Sequence, residues 1–227
     1  MNKPIVKYED NHLLIVEKPA GWLVQGDDSG DGTLTDWATE YIRKKYNKPG
    51  NVFCQPCHRL DRPVGGLVIF ARTSKGLERM NKLFRDQEIT KTYLAVVDGA
   101  PKHPEQELVH WLDKDGGKNK AHVRKPGKGN AKKALLSYSM LASLGKVSLL
   151  EVKPKTGRPH QIRIQMRENG TSIRGDVKYG FNKPNADKSI DLYAYKLEFV
   201  HPVKNEPIKV ISKPKWPDFE AFIKELK

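Results

Sequence analysis

His58-Arg59-Leu60-Asp61-Arg62-Pro63-Val64-Gly65-Gly66, running on into Leu67-Val68-Ile69-Phe70, sets a carboxylate between two arginines just ahead of an apolar run. An aspartate beside a buried strand is costly unless it is paired or at work. Arg59 and Arg62 favour the ionised form of Asp61, because a cation within a few ångströms stabilises a carboxylate. The glycine pair permits a tight backbone turn that presents the segment to a cleft. Taken alone, the stretch also reads as a turn aspartate in a surface salt bridge. The weight therefore falls on its companions along the chain.

Outward from that stretch, 227 residues suffice for a substantial core. The formal charge of +14 is most simply explained by a polyanionic partner, nucleic acid first. A membrane partner is not expected, since no stretch is long and apolar enough to span a bilayer. The opening Met-Asn-Lys-Pro-Ile-Val-Lys lacks the apolar core of a signal peptide, so the expected location is the cytoplasm. Cys54 and Cys57 are the only cysteines. A structural zinc site wants four ligands, and His58 alone does not complete one, so no metal is expected and the pair reads as two reduced thiols at the edge of a core.

Leu13-Leu14-Ile15-Val16 reads as a short strand, followed by a turn at Glu17-Lys18-Pro19-Ala20-Gly21. Thr33 or Thr35 can cap a helix on which Leu34, Trp37, Ala38, Tyr41 and Ile42 share one face, with Asn47 to Gly50 as its stop. Thr73 begins a second helix with Leu77, Met80 and Phe84 inward. Thr92 to Val97 reads as a buried strand, two more strands follow near 135–141 and 147–153, and Pro217 opens a terminal helix that packs Phe219, Phe222, Ile223 and Leu226. Trp22, Trp37, Trp111 and Trp216 read as packing residues. Strands outnumber helices without regular alternation, which favours an α+β fold with a mixed, largely antiparallel sheet over a doubly wound one.

Residues 113–133 carry eight Lys or Arg against Asp113 and Asp115, with glycine at 116, 117, 127 and 129 and no apolar period. They read as a basic hairpin whose tip buries nothing and whose cations, Lys120 and Arg124 among them, contact phosphates. Further on, Lys155-Thr156-Gly157-Arg158-Pro159-His160-Gln161-Ile162-Arg163-Ile164-Gln165-Met166 turns at Thr156-Gly157 and is helical from His160 until Gly170. Ile162, Ile164 and Met166 imply partial burial, and an arginine near a core wants a carboxylate. Asp61 is a candidate.

The two stretches together resemble the pseudouridine synthases of the RluA type, over nearly the whole chain. His58 to Arg62 is similar to that family's aspartate motif, and Thr156-Gly157-Arg158 through His160-Gln161-Ile162-Arg163 to its arginine motif. Glu17 to Gly21 resembles the opening motif and Lys91 to Val97 the tyrosine motif. Ile173-Arg174-Gly175-Asp176 with Tyr179-Gly180, then Leu192-Tyr193-Ala194 with His201-Pro202, resemble the closing segments. Six matches in the family's order are specific where one would be weak.

The resemblance implies a single catalytic domain over residues 1–227, with a central basic cleft, the 113–133 loop within it and no separate N-terminal RNA-binding module. It implies an isomerase that converts a uridine of ribosomal or transfer RNA to pseudouridine, without cofactor or metal. A monomer is expected, though no residue pattern fixes the oligomeric state. Asp61 would be the catalytic carboxylate and Arg163 its partner. Tyr93 would lie against the flipped uracil and serve the last proton removal at C5. Arg62 would fill the gap in the RNA stack. His58, Leu60, Arg158 and His160 would complete the substrate contacts, the histidines as positioning groups. The carboxylate could attack the sugar, attack C6 or remove a sugar proton, and the residues do not choose among these. Val64-Gly65 stands where the family has Thr-Ser, Pro159 where it has Thr or Ser, and Gln165 where it has His. A non-catalytic RNA-binding protein would be expected to lack Asp61, Tyr93 or Arg163, and all three are present.

Overall fold

Leu13 to Val16 and Leu67 to Phe70 are apolar at consecutive positions, and a strand of that kind is stable only with both faces covered. The computed structural model describes residues 3–26, 30–115 and 119–225, and in it both runs are strands with no exposed side chain. Burying one side chain of this size contributes about 1.5–3 kcal/mol. The chain folds as two compact units. One is the chain up to Thr90 together with Ala194–Lys213; the other is Lys91–Tyr193 with the stretch from Pro214 onward.

In chain order the first unit holds β1 (Ile5–Glu9), β2 (Leu13–Lys18), α1 (Leu34–Lys45), β3 (Gln55–Pro56), β4 (Gly65–Ala71) and α2 (Ser74–Arg85). The second continues with β5 (Thr90–Asp98), β6 (Glu105–Asp115), β7 (Lys120–Arg124), β8 (Lys132–Leu144), β9 (Val147–Pro154) and α3 (Gln161–Glu168). β10 (Leu192–Val200) carries the chain back into the first unit at Ala194, β11 (Pro207–Ile211) follows there, and α4 (Phe219–Glu225) returns to the second.

The first unit has the strand order β1–β2–β4–β10, with β11 on β10 and β3 on β4; the second has β5–β9–β8–β6–β7. The pairs β1–β2, β2–β4, β3–β4 and β10–β11, and all four in the second unit, are antiparallel. The class is the α+β expected, largely antiparallel and without regular strand–helix alternation.

In the first unit, Leu13, Ile15, Leu67, Ile69, Met80, Leu197 and Phe199 form one core cluster. Thr33 caps α1: its hydroxyl accepts from the Asp36 N–H at 3.1 Å while the Asp36 carboxylate accepts from the Thr33 N–H at 3.0 Å. Such a reciprocal cap contributes about 1 kcal/mol. The buried face of α1 is Leu34, Ala38 and Ile42, while Trp37 and Tyr41 stay half-buried. Thr73 caps α2 with its hydroxyl alone, which accepts from the Gly76 N–H.

In the second unit the basic stretch enters a hairpin: Lys120–Arg124 is β7, paired to β6, and Ala121 packs with Leu112, Ala134, Ile164 and Tyr179. Residues 116–118, at the expected tip, and Leu226 of the terminal helix lie outside the described residues. α3 is deeper than a partly buried helix, since Gln161 through Met166 are all buried.

Candidate active site

In the first unit the Asp61 segment is a turn closed by the Val64 N–H donating to the Asp61 carbonyl at 3.0 Å. It is fastened from two sides. His58 Nε2 accepts the Ile69 N–H at 3.1 Å and its ring packs 5.0 Å from Phe84, while the Cys57 N–H donates to the Ile69 carbonyl at 2.8 Å. The segment is thereby laid along β4. On the other side, the Gly21 N–H donates to the Arg62 carbonyl at 2.8 Å. Gly21 has φ +89, a conformation that glycine adopts without strain.

Lys18 completes the fastening. Its side chain is fully buried, and Nζ donates to the carbonyls of Trp22 (2.8 Å), Pro19 (3.2 Å) and Arg62 (3.2 Å). Three acceptors match the three protons of an ammonium group. Burial pushes the Lys18 amine down to about 7, and the negative charge of Asp61 opposes that shift. The turn at Glu17 to Gly21 and the Asp61 turn are thus one hydrogen-bonded unit, with Asp61 half-buried within it. Arg62 is exposed; its Nε donates to the Gly21 carbonyl at 3.2 Å and its guanidinium pairs with Asp31 at 2.7 Å. Leu60 is 9% exposed, a core side chain under the turn.

In the second unit Arg163 is buried and its guanidinium makes a bidentate pair with Asp176, at 2.7 Å from Nε and 2.8 Å from an Nη. The Tyr179 ring lies 5.0 Å from the guanidinium carbon, within cation–π range. The Tyr179 hydroxyl accepts the Ala121 N–H at 2.8 Å and is bonded to His160 Nδ1 at 2.7 Å. His160 holds φ +54 as the N-cap of α3, a left-handed conformation uncommon for a residue with a side chain. Lys120 Nζ lies 5.7 Å from the Tyr179 ring. In this cluster two side chains from the closing segment fix the arginine of the arginine motif.

Of the other expected residues, Tyr93 is half-buried in β5 opposite Val152. Arg158 donates from Nε to the Lys133 carbonyl at 3.0 Å. Arg124 is exposed on β7 opposite Trp111. His58, Leu60, Asp61 and Arg62 belong to the first unit; Tyr93, Lys120, Arg124, Arg158, His160 and Arg163 belong to the second. Residue-by-residue reading did not single out Asp176 or Tyr179, although both stand in a segment matched to the closing motif. Lys18 was also missed, and its signal was a lysine continuing an apolar strand into Pro19.

Burial pushes both thiols, Cys54 and Cys57, up to about 12. Among the described residues no group of three or more His, Cys, Asp or Glu is placed to hold a metal ion, and no helix is long and apolar enough to cross a membrane. Chemically, the first unit offers a half-buried carboxylate on a rigid turn, and the second a fixed guanidinium and an aromatic strand residue.

Fold comparison places this architecture with the RNA pseudouridylate synthases. The human RNA pseudouridylate synthase domain containing 4 superposes with a TM-score of 0.77 at 21% identity, over 97% of this chain and 92% of that one. Its human relative, domain containing 1, gives 0.73 at 22%, over 97% and 87%. Residues 12–168 match the family model described as RNA pseudouridylate synthase, and the chain belongs to that family. It is 31% identical to the tRNA pseudouridine synthase C of Vibrio parahaemolyticus, over 89% of this chain and 87% of the relative. It is 30% identical to the ribosomal large subunit pseudouridine synthase D of Zymomonas mobilis and 34% to that of Borreliella burgdorferi, spanning 67% and 61% of their lengths. The chain is thus an RNA pseudouridine synthase, an isomerase with RNA as its substrate.

Proposed function

We propose that Asp61 is the catalytic carboxylate and that the substrate is a uridine in structured ribosomal or transfer RNA. The observation that supports this most directly is the fastening of the Asp61 turn by a fully buried lysine that spends its donors on backbone carbonyls. A buried cation held for local geometry is costly, and here the geometry it maintains is that of one carboxylate. Uridine and pseudouridine contain the same atoms: N1–C1′ breaks, C5–C1′ forms, and the C5 proton leaves while N1 gains one. The reaction therefore balances without oxidant, reductant or co-substrate, and we assign it no metal.

The reacting carbons lie within a stacked nucleotide, so the base has to be extruded, at a cost of a few kcal/mol. Arg62, exposed at the end of the turn, is assigned to the vacated place in the stack. Tyr93 is assigned to the extruded uracil and to removal of the C5 proton. Stacking on an aromatic ring contributes about 1–3 kcal/mol. Arg163, fixed by Asp176 and Tyr179, serves the same reaction in the role the motif implies. His58 and His160 act as positioning groups, and Leu60 supports the turn from beneath. Lys120, Arg124 and Arg158 hold phosphates. We assign the enzyme to the cytoplasm as a monomer.

The test uses total RNA labelled with tritium at uracil C5, from cells lacking the enzyme. Wild type is expected to release label to water, whereas Asp61→Asn retains RNA but releases none. Normal turnover by Asp61→Asn would overturn the assignment.

A further inference from the structure

The outer face of α1 is not used by the core. Trp37, Tyr41 and Lys45 recur at i, i+4 and i+8 beside the buried stripe of Leu34, Ala38 and Ile42. The Trp37 and Tyr41 rings are stacked, with centroids 5.5 Å apart and planes 12° from parallel. Lys45 Nζ lies 5.4 Å from the Tyr41 ring and 5.7 Å from the Tyr46 ring, and the Arg72 guanidinium lies 4.7 Å from the far side of the same ladder, at Tyr46. Cationic groups thus flank the aromatic ones at the C-terminal end of the helix. Trp37, Glu40, Tyr41, Lys44 and Lys45 line an open groove of about 520 Å³, a volume in the range of small-ligand sites.

The charge of this face is lopsided. Arg43, Lys44, Lys45, Lys48 and Arg72 are set against Glu9, Asp36 and Glu40, five cations to three acids. Glu40 pairs with Arg43 at 2.7 Å and Lys44 at 3.3 Å, and Glu9 with Lys45 at 2.7 Å and Arg72 at 3.3 Å. The Glu40 pairs are exposed and pairs of that kind are weak, so phosphates can compete for Lys44, whose side chain is 76% exposed, and for the exposed Lys48.

The helix starts close to the Asp61 turn. The Leu34 N–H donates to the Leu23 carbonyl at 2.8 Å and the Thr35 hydroxyl to the Val24 carbonyl at 2.7 Å, within the segment whose Gly21 holds Arg62. Asp31, two residues before the cap, pairs with Arg62 itself. Trp37 is one helical turn beyond that cap.

We propose that this face of α1 is a second RNA-contact surface, one that takes single-stranded RNA flanking the target uridine. A base stacks against Trp37, extending its stack with Tyr41, and phosphates lie on Lys44 and Lys48. The inference rests on RNA being the substrate and is independent of the chemistry assigned to Asp61.

Trp37→Ala and Lys44→Glu/Lys48→Glu are compared with wild type and with a charge-matched control, Lys102→Glu/Lys224→Glu, at exposed positions elsewhere. Affinity is read by anisotropy of a fluorescein-labelled oligouridylate of about 16 nucleotides, and turnover by tritium release from C5-labelled total RNA. Each α1 variant is expected to weaken binding about tenfold and to raise KM in step, with kcat within about twofold and melting temperature unchanged. The salt dependence of the double lysine variant should flatten by about 1.4 in slope, about 0.7 for each lost single-strand phosphate contact. The lysine variant leaves the core untouched, so it decides the matter even if Trp37→Ala melts early. Wild-type affinity and salt slope in the lysine variant would overturn the proposal, as would an equal loss in the control. So would loss of binding to anionic phospholipid vesicles with RNA binding intact. Asp61→Asn bears on the catalytic reading alone.

Discussion

Gly66→Ala is expected to destabilise the first unit far more than one methyl group suggests. Gly66 has φ +116, and a Cβ placed there would lie 2.4 Å from the Ala194 carbonyl oxygen, 2.5 Å from its nitrogen and 2.8 Å from its carbonyl carbon. All three are backbone atoms, so no side chain can swing aside. Relief requires β10 to retreat from β4. A left-handed φ on an L-residue costs about 1–2 kcal/mol, and overpacking of this kind about 1–3 kcal/mol, together about 2–5 kcal/mol. For a chain of this length each kcal/mol lowers Tm by about 2–4 °C, which gives roughly 4–20 °C. Gly145→Ala is the matched control: φ is +59 and nothing lies within 4 Å of its built Cβ, so only the conformational cost of about 1–2 kcal/mol applies. Urea unfolding followed by circular dichroism, with thermal melts of both variants, measures the difference. Equal losses in the two variants would refute the steric argument. Gly66 also pairs in register with Lys18, so Gly66→Ala should lose turnover at temperatures where it remains folded.

Two other changes probe the second unit and the thiols. Asp176→Asn breaks a buried bidentate pair whose side chains are 6% and 1% exposed; breaking such a pair costs about 3–5 kcal/mol, and because asparagine keeps one acceptor the low end, about 3 kcal/mol, is expected in urea unfolding, with kcat down at least about tenfold. A loss below about 1 kcal/mol with normal kcat would show that Arg163 does not depend on Asp176. Cys54 and Cys57, pushed from 9.0 to about 12 by burial, should resist iodoacetamide at pH 8 in the native state and react readily once the protein is unfolded. The folded pKa values are raised, so the stability these thiols lend is complete below about pH 9 and is lost as pH rises toward 12. Rapid native labelling of Cys54 at pH 8, followed by mass spectrometry, would contradict its burial.

Much of this was legible in the residues because it is local. The apolar runs of β2 and β4, the Thr33 and Thr73 caps and the stop after Tyr46 all follow from side chains within one element. What escaped reading depends on distant partners. Gly66 looks like half of a turn, yet it sits in a strand where another backbone passes close. β7 hides because five residues, Lys120 to Arg124, carry only two apolar side chains, and burial of Ala121 becomes visible only beside Tyr179. β1 interleaves Lys7 and Glu9 with Ile5, Val6 and Tyr8, and its pairing with β2 includes an irregularity between Val6 and Tyr8. Asp176 as a carboxylate for Arg163 lies in a glycine-containing segment without periodicity. Motif order is what proposes Asp61, Tyr93 and Arg163, while the contacts of Lys18 and Tyr179 are visible only in three dimensions.

The crossing back at Ala194 has a consequence for synthesis. The strand that flanks β4 is made only after the whole of Lys91–Tyr193 has left the ribosome. At about 5–20 residues per second that interval lasts roughly 5–20 s. Throughout it the Gly65–Val68 half of β4 lacks its β10 neighbour, since β3 and the His58 segment cover only Ile69–Ala71, and that open half is able to pair with any passing extended chain. A message cut short at Tyr193 would release a polypeptide with that edge permanently open, prone to aggregation in a way the finished enzyme is not.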